Sequence, residues 1–189
     1  MTLTEPVRSI GVEEYLRGEL LSDIRHEYLG GQVYAMAGAD ERHNRIALNI
    51  AFQLRAVARG TACGVFISDM KLRVAARDAF YYPDVLLICD PGDDEPFFKS
   101  RPCLIVEVLS PSTEVIDRRE KLIAYRALPS LRYYLLVARD TRRVEFYQAD
   151  EDGWRHQILD GTGSLRIDCG ELFSATLTLA DIYEDVNIS

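Results

Sequence analysis

Positive charge is scarce in this sequence of 189 residues, where 22 lysines and arginines face 30 aspartates and glutamates and the net charge is −8. Proteins that bind nucleic acids non-specifically are usually basic, because neutralising phosphates supplies most of their affinity. The composition therefore argues against tight non-specific DNA binding by a monomer. It still allows acidic residues that hold a cation, or a local basic patch. The candidates for such a patch are Arg42, Arg45, Arg118, Arg119 and Lys121.

Long hydrophobic runs are also missing. No stretch approaches a transmembrane span, and residues 1–10 lack the apolar core of a signal peptide, so we expect a cytoplasmic protein. The four cysteines are far apart and form no CxxC pair, which argues against a zinc knuckle or a redox motif. Three of them lie in or beside apolar stretches, so we predict that the cysteines are small, reduced core residues.

Several catalytic motifs are absent as well. Ser110 does not lie in a GxSxG elbow, no GK[ST] phosphate loop occurs, and the glycines at 161–163 lack the rest of a dinucleotide fingerprint. His26, His43 and His156 lack metal-ligand spacing, and we interpret His156 as structural or exposed. These absences exclude the common serine-hydrolase, nucleotide-binding and histidine-metal sites.

The pattern of apolar residues predicts a single α/β (α+β) domain over residues 1–189, with a mixed central β-sheet flanked by helices. Gly30-Gly31 marks the turn of an N-terminal hairpin, and Asp40 is a plausible N-cap. Asp117 and Glu120 are spaced like a capping box. The predicted helices are 11–20, 40–59, one that follows a break at 110–113 and runs to about 128 with its strong segment at 117–128, and 179–186. The predicted strands, including a late hairpin, are 65–74, 80–89, 103–109, 131–138, 142–148 and 154–159.

One residue is out of place in this pattern. Glu107 interrupts the otherwise apolar run 103–109, which reads as a central strand covered on both faces. A buried carboxylate costs several kcal/mol or shifts its pKa unless a cation compensates it. A metal ion or a lysine would compensate Glu107, so this residue points to a chemical site. The alternative is a buried salt bridge, for instance with an arginine.

Two further ionisable residues could converge on Glu107. Asp84 opens the apolar stretch 85–88, so two carboxylates would share one end of the sheet if the strands are neighbours. Such a pair, with water and a phosphate oxygen, suits Mg²⁺. Lys121 lies on the following helix, where it shares a face with Asp117 and Tyr125 at i, i+4, i+8 spacing. Alternatively, Asp84 caps a turn after Pro83, and Lys121 is a solvated lysine paired with Asp117.

The chain resembles the Uma-type family of restriction-endonuclease-like proteins, part of the PD-(D/E)XK nuclease superfamily and formerly a domain of unknown function. The resemblance covers nearly the whole chain, and its most specific part is the EVLSPST stretch followed by D-x-x-x-K. The matching segments are residues 25–31, His43-Asn44, residues 82–85, residues 106–113, Asp117 with Lys121 and Tyr125, and residues 131–137.

The resemblance implies a restriction-endonuclease-like fold and a role for individual residues. Pro83-Asp84 resembles the PD of the superfamily motif, and Glu107 resembles its second acidic residue. The superfamily motif has a lysine at the position that Leu109 occupies in this chain. The family resemblance implies that Lys121 supplies the amine instead. Glu27 resembles an additional acidic residue found near such sites, although a surface charge in a hairpin is equally open. His43 resembles a family position near the site, without a defined role.

Three functions follow as expectations. The first is a Mg²⁺-dependent (or Mn²⁺-dependent) endonuclease acting on DNA as a homodimer, with Asp84 and Glu107 on the metal. In it Lys121 would assist the water or phosphate, and Glu27 would complete the site. The second is a nucleic-acid- or metal-binding module that kept the fold and lost catalysis. The third is an interaction protein in which Glu107 is one half of a buried ion pair.

Overall fold

A computed structural model describes residues 9–110 and 114–188 and contains two large β-sheets and one two-stranded sheet. The strands are β1 (His26–Leu29), β2 (Gln32–Ala35), β3 (Gly64–Ile67), β4 (Lys71–Val74), β5 (Ala79–Tyr81), β6 (Val85–Ile88), β7 (Phe98–Lys99), β8 (Pro102–Leu109), β9 (Tyr133–Ala138), β10 (Arg143–Asp150), β11 (Gly153–Asp160), β12 (Ser164–Asp168) and β13 (Ser174–Thr178). Their orders are β2-β1-β5-β4-β7, β11-β10-β9-β8-β6-β3 and β12-β13.

Four helices accompany the sheets in the described residues. They are α1 (Val12–Glu19), α2 (Glu41–Ala58), α3 (residues 114–125) and α4 (Leu179–Ile182). Helix α3 consists of Glu114–Ile116, a π-helical turn at Asp117–Lys121, and Leu122–Tyr125. Short 3₁₀ turns cover Ala75–Arg77 and Gly170–Leu172. None of the described helices is both long and apolar enough to span a membrane.

Strand β8 lies inside the six-stranded sheet, between antiparallel β6 and parallel β9. All its residues are buried, as the apolar run predicted. Because parallel neighbours need a crossover connection, the chain between β8 and β9 passes through α3, which packs on one face of the sheet. This crossover places α3 over Glu107 and confirms the expected mixed sheet with flanking helices.

The two faces of the six-stranded sheet bury different layers. One face packs against α2, the β12–β13 hairpin and α4. The other packs against α3 and residues of the five-stranded sheet. Ile105 and Leu109 belong to this second layer, and Glu107 points the same way because side chains alternate along a strand. The candidate site therefore lies where the two sheets and α3 meet.

Two predicted strands are wrong, because each is divided between the two large sheets. The predicted strand 65–74 consists of β3 and β4, separated where Ser68 adopts a φ of 39°. The predicted strand 80–89 consists of β5 and β6, and Pro83 lies in the break. Proline lacks the backbone N–H that a strand interior needs. This second break brings Asp84 to the point where the chain passes from one sheet to the other.

The helix predictions are confirmed in part. The Asp40 side chain accepts a hydrogen bond from the His43 amide and caps α2, as predicted. The capping box at Asp117 is wrong, because α3 already begins at Glu114 and Asp117 is buried inside it. Of the predicted break at 110–113, residues 111–113 lie outside the described residues.

The cysteine prediction is wrong. The structure pairs Cys63 with Cys89 and Cys103 with Cys169, and it contains no free cysteine. Sheet pairing and the C-terminal hairpin bring these partners together across 26 and 66 positions of sequence. Both reduced and disulfide-bonded cysteines occur in apolar surroundings, so the neighbouring residues did not indicate which form these cysteines take. The second disulfide ties β8 to the segment after β12.

Candidate active site

Glu107 is 3% exposed, and its Oε1 atom receives two hydrogen bonds from α3. Lys121 Nζ lies 3.2 Å from this oxygen, and the Tyr125 hydroxyl donates to it at 2.7 Å. Within the described residues these contacts leave the other oxygen, Oε2, without a hydrogen-bond partner. The buried carboxylate is therefore compensated on one side by a cation and a hydroxyl, as its place in an apolar strand required.

Lys121 is the centre of a larger cluster. It is 5% exposed, and its Nζ lies 3.0 Å from Glu27 Oε1, 3.2 Å from Glu107 Oε1 and 3.3 Å from Asp117 Oδ1. The three carboxylates come from β1, β8 and α3, so both sheets and the crossover helix contribute. Asp117 and Lys121 begin and end the π-helical turn, a feature that often marks functional sites.

Asp84 lies next to Glu107 in the pairing of β6 with β8, where Val85 is paired with Val106. Its Oδ2 accepts a hydrogen bond of 2.7 Å from the Val108 amide on β8, and its Oδ1 lies 2.8 Å from His43 Nε2 on α2. The carboxylate thus bridges α2 and β8 rather than capping a turn after Pro83. These contacts fix the Asp84 side chain beside Glu107, whose pKa its charge helps to raise.

The cluster has an excess of negative charge, and this determines its protonation. Burial raises the pKa of Glu107 well above its usual range, Lys121 opposes the rise, and the carboxylates of Asp117, Asp84 and Glu27 add to it. Burial alone would lower the pKa of Lys121, but the surrounding carboxylates raise it well above its usual value. Lys121 therefore stays a cation, while Glu107 takes up a proton more readily than an ordinary glutamate.

The structure brings the sequence-predicted residues together: Lys121 contacts both Glu107 and Glu27, and Asp84 accepts a hydrogen bond from the amide of Val108, next to Glu107. Glu27 is not a free surface charge, and Lys121 is not solvated, although it does pair with Asp117. No arginine takes the place of Lys121 beside Glu107 among the described residues. Leu109 is a buried core residue, two positions beyond Glu107.

Some contacts were not anticipated from the sequence. The spacing at i, i+4, i+8 placed Asp117 and Tyr125 on the face of Lys121, but Asp117 was assigned to a cap and Tyr125 had no role. The segment His43-Asn44 matched the family without indicating that His43 contacts Asp84 across 41 positions. The expected basic patch is not a surface feature as a whole, because Lys121 is buried and Arg118 contacts Glu114 and Glu145.

The donor set suits a hard divalent cation that retains water and substrate ligands. No group of three histidine, cysteine, aspartate or glutamate side chains is positioned to hold a metal among the described residues. Mg²⁺ needs fewer than three protein ligands, since it is commonly bound by one or two carboxylates together with waters and phosphate oxygens. Asp84 and Glu107 offer that number, with Glu107 Oε2 still open, so the residues fit such an ion.

Replacing Tyr125 with phenylalanine tests how far Glu107 depends on its neutral donor. The change removes the 2.7 Å hydrogen bond and leaves a buried carboxylate with one donor fewer. We expect the free energy of unfolding to fall by about 1.5–3 kcal/mol. Urea denaturation measures this, with Tyr34→Phe as the matched control, because Tyr34 is 53% exposed. Equal stabilities of the two variants would contradict the role of the Tyr125 hydroxyl.

Known proteins are similar to this chain in sequence and in fold. Two proteins of Synechocystis sp., "Uncharacterized protein slr1290" and "Uncharacterized protein sll1609", are 37% and 32% identical to it. The alignments cover 78% of this chain in both cases, and 78% and 85% of the relatives.

A solved structure from Anabaena variabilis, described as "a putative nuclease belonging to DUF820", superposes with a TM-score of 0.68. It shares 14% identity and covers 89% of this chain and 97% of its own, so it supports the fold. Residues 12–180 match the family described as "Uma2: Putative restriction endonuclease". That span includes every residue of the buried cluster, and the chain therefore belongs to the Uma2 family.

Proposed function

We propose that this protein is a Mg²⁺-dependent endonuclease that hydrolyses phosphodiester bonds of DNA and that also accepts Mn²⁺. The observation that carries the proposal is the meeting of Glu107, Asp84 and Lys121 at one point between the sheets. Family membership and fold support a nuclease, and the carboxylates supply ligands suited to the cation such hydrolysis uses.

In this proposal Asp84 and Glu107 hold the metal. A divalent cation bound there would supply Lewis-acid chemistry at the phosphodiester and favour ionisation of the attacking water. His43 and the Val108 amide hold the Asp84 carboxylate in place, and Tyr125 does the same for Glu107. Such fixed partners keep the ligand orientation from depending on solvent.

Lys121 supplies a permanent positive charge at the same point. Its ammonium is buried and remains protonated, so it can stabilise the negative charge that develops on the phosphate or orient the attacking water. Glu27 and Asp117 hold the lysine toward Glu107 by contacts of 3.0 and 3.3 Å. The superfamily motif has its lysine two positions after the second acid, where this chain has Leu109 on β8. Here the lysine lies on α3 instead, and the crossover connection brings α3 over the same end of the sheet.

The direct test is cleavage of supercoiled plasmid and labelled oligonucleotides by the purified protein. We expect cleavage with MgCl₂ or MnCl₂, none with EDTA, and none with Asp84→Asn under any of these conditions. Arg166→Ala serves as the control, because Arg166 is 70% exposed on β12 and pairs with Asp168. Metal-dependent cleavage that is unchanged in both Asp84→Asn and Glu107→Gln would contradict the proposal.

A second candidate is a binding module of the same fold without catalysis. The observation that favours it is the compact set of ion pairs around Lys121, which already compensates Glu107 without a metal. Calorimetry with Mg²⁺ or Mn²⁺ separates the two candidates. Binding near millimolar or tighter, lost in Asp84→Asn, supports the nuclease, whereas no binding at that concentration supports the module. We also expect a homodimer, which sedimentation velocity would detect.

A further inference from the structure

A row of aromatic rings crosses the sheet away from the candidate active site. Tyr134 on β9, Tyr147 on β10 and His156 on β11 are direct cross-strand neighbours, and we call them the aromatic row. The Tyr134 and Tyr147 rings stack with centroids 6.0 Å apart, and the Tyr147 and His156 rings stack at 4.3 Å and 13°. The Tyr147 and His156 planes are nearly parallel and the Tyr134 and Tyr147 planes are tilted by 28°, so the three rings form a continuous series across the sheet.

The outer end of this row is open to solvent. Strand β11 is the last strand of its sheet, so the ring of His156 has a stacked neighbour on one side and no strand on the other. The His156 side chain is 41% exposed. Trp154 lies two positions away and therefore on the same face of β11. Together these rings present π-surface at a sheet edge.

Positive charge accompanies the rings. The Arg126 guanidinium, from the end of α3, lies 5.6 Å from the Tyr147 ring centroid and 5.5 Å from that of Trp154. Among the described residues no carboxylate lies within 4.0 Å of Arg126 or of Arg119, both of which are exposed. The buried carboxylate of Glu145 contacts Arg118, accepts a hydrogen bond from the Tyr147 hydroxyl at 3.3 Å and lies 3.6 Å from His156 Nε2. Arg126 is therefore the positive charge that lies against the rings, and Arg119 is a second exposed cation, on α3.

The inner end of the row reaches the candidate active site. The Tyr134 ring meets the Tyr125 ring edge-on at 5.3 Å, and the Tyr134 hydroxyl donates to the backbone oxygen of Asp117. Strand β11 is three strands from β8, which corresponds to roughly 14 Å at the usual strand spacing. A base-stacked strand, as in duplex DNA, rises about 3.4 Å per nucleotide, so a few nucleotides span this distance.

We propose that His156, Trp154 and Arg126 form a stacking platform for the bases of a single-stranded nucleic-acid segment that leads to the candidate active site. This rests on the proposed function, in that it takes the substrate to be a nucleic acid. Aromatic faces bind bases with little regard to sequence, and a guanidinium beside them can attract phosphates or stack on a base. Duplex bases are stacked on each other and offer no free face to such a platform.

The experiment measures binding in EDTA by fluorescence anisotropy, so that no cleavage is needed. The probes are a labelled oligo(dT), an abasic oligonucleotide of equal length and charge, and a blunt duplex. We expect the full-length wild-type protein to bind oligo(dT) more tightly than the abasic strand. The double variant Trp154→Ala/His156→Ala should weaken oligo(dT) binding about 10-fold or more and abolish the difference between the two strands. Arg126→Ala should weaken both strands.

Phe52→Ala is the matched control, because Phe52 is a 67% exposed aromatic residue on α2, across the sheet from the platform. It should leave both affinities unchanged, and equal melting temperatures would show that the variants remain folded. Equal binding of oligo(dT) and abasic strand by wild type would overturn the platform. So would a double variant that keeps its preference for oligo(dT) but loses self-association, which would make this surface an interface between copies.

The outcomes also separate the platform from the nuclease proposal. Cleavage without base-dependent binding removes only the platform, because metal-dependent hydrolysis needs Asp84 and Glu107 but not His156. Base-dependent binding without cleavage keeps the platform and removes the nuclease activity.

Discussion

Replacing Lys121 with methionine is expected to lower the free energy of unfolding by about 3–5 kcal/mol at neutral pH. The side chain is 5% exposed, and its ammonium lies within 3.3 Å of the carboxylates of Glu27, Glu107 and Asp117. Methionine keeps a similar volume but removes the charge, so buried carboxylates lose their cation. Urea denaturation of both proteins in EDTA measures the difference, and a change below about 1 kcal/mol would contradict the central role of Lys121.

Magnesium should reverse part of this loss. Under the proposed function, a divalent cation held by Asp84 and Glu107 would compensate some of the same negative charge, and its binding to the folded state alone would add stability. At a tenfold excess over Kd the gain is about 1.4 kcal/mol. Lys99→Met is the matched control, because Lys99 is also buried but donates to the backbone oxygens of Asp93 and Glu95. That variant should be destabilised without a greater response to Mg²⁺ than wild type shows.

Replacing Glu107 with glutamine is expected to move activity and stability in opposite directions. Cleavage should fall by about 10²–10³-fold or more, because the amide cannot replace a carboxylate as a metal ligand. The free energy of unfolding should rise by about 1–2 kcal/mol at pH 8, because the variant no longer buries this ionised group. A residue that lowers the stability of the folded protein is typical of a functional site.

The stability gain of Glu107→Gln should depend on pH. The pKa of Glu107 is raised in the folded chain, so folding disfavours its ionised form. Wild type therefore loses stability as the pH rises from the unfolded-state pKa, about 4.3, through the raised folded-state value. The variant lacks this loss, so its advantage should be absent near pH 4 and largest near pH 8.

Unfolding curves at four or five pH values measure this dependence. Glu171→Gln is the control, because Glu171 is exposed and its replacement should change neither stability nor cleavage. Unchanged cleavage by Glu107→Gln would show that Glu107 does not hold the metal. A stability gain that is the same at pH 4 and pH 8 would show that ionisation of Glu107 is not its cause.

Local patterns predicted the elements that carry the site. The apolar run 103–109 identified β8, Asp40 identified the start of α2, and the turn at Gly30-Gly31, where φ is 52° and 93°, identified the first hairpin. These features depend on neighbours within a few residues, so the sequence displays them directly. Glu107 could be recognised from the sequence for the same reason, because its charge interrupts an otherwise apolar strand.

Other features were hidden because they depend on distant residues. A strand pattern contains no information about which sheet it joins, so β3 and β4 were read as one strand, as were β5 and β6. The disulfide partners were invisible because four cysteines allow three pairings and apolar surroundings suit a free thiol equally well. Asp117 was assigned to a cap because the start of α3 depends on residues before it.

The sequence by itself determined that a buried strand carries an acid and that Asp84, Lys121 and Glu27 were candidates to accompany it. Only the tertiary structure decided that one ammonium meets three carboxylates, and that His43 holds Asp84 across 41 positions. The physical reason is the range of the interactions. Burial and capping follow from local pattern, whereas charge pairing requires contact, and contact here depends on a parallel crossover and on the packing of two sheets.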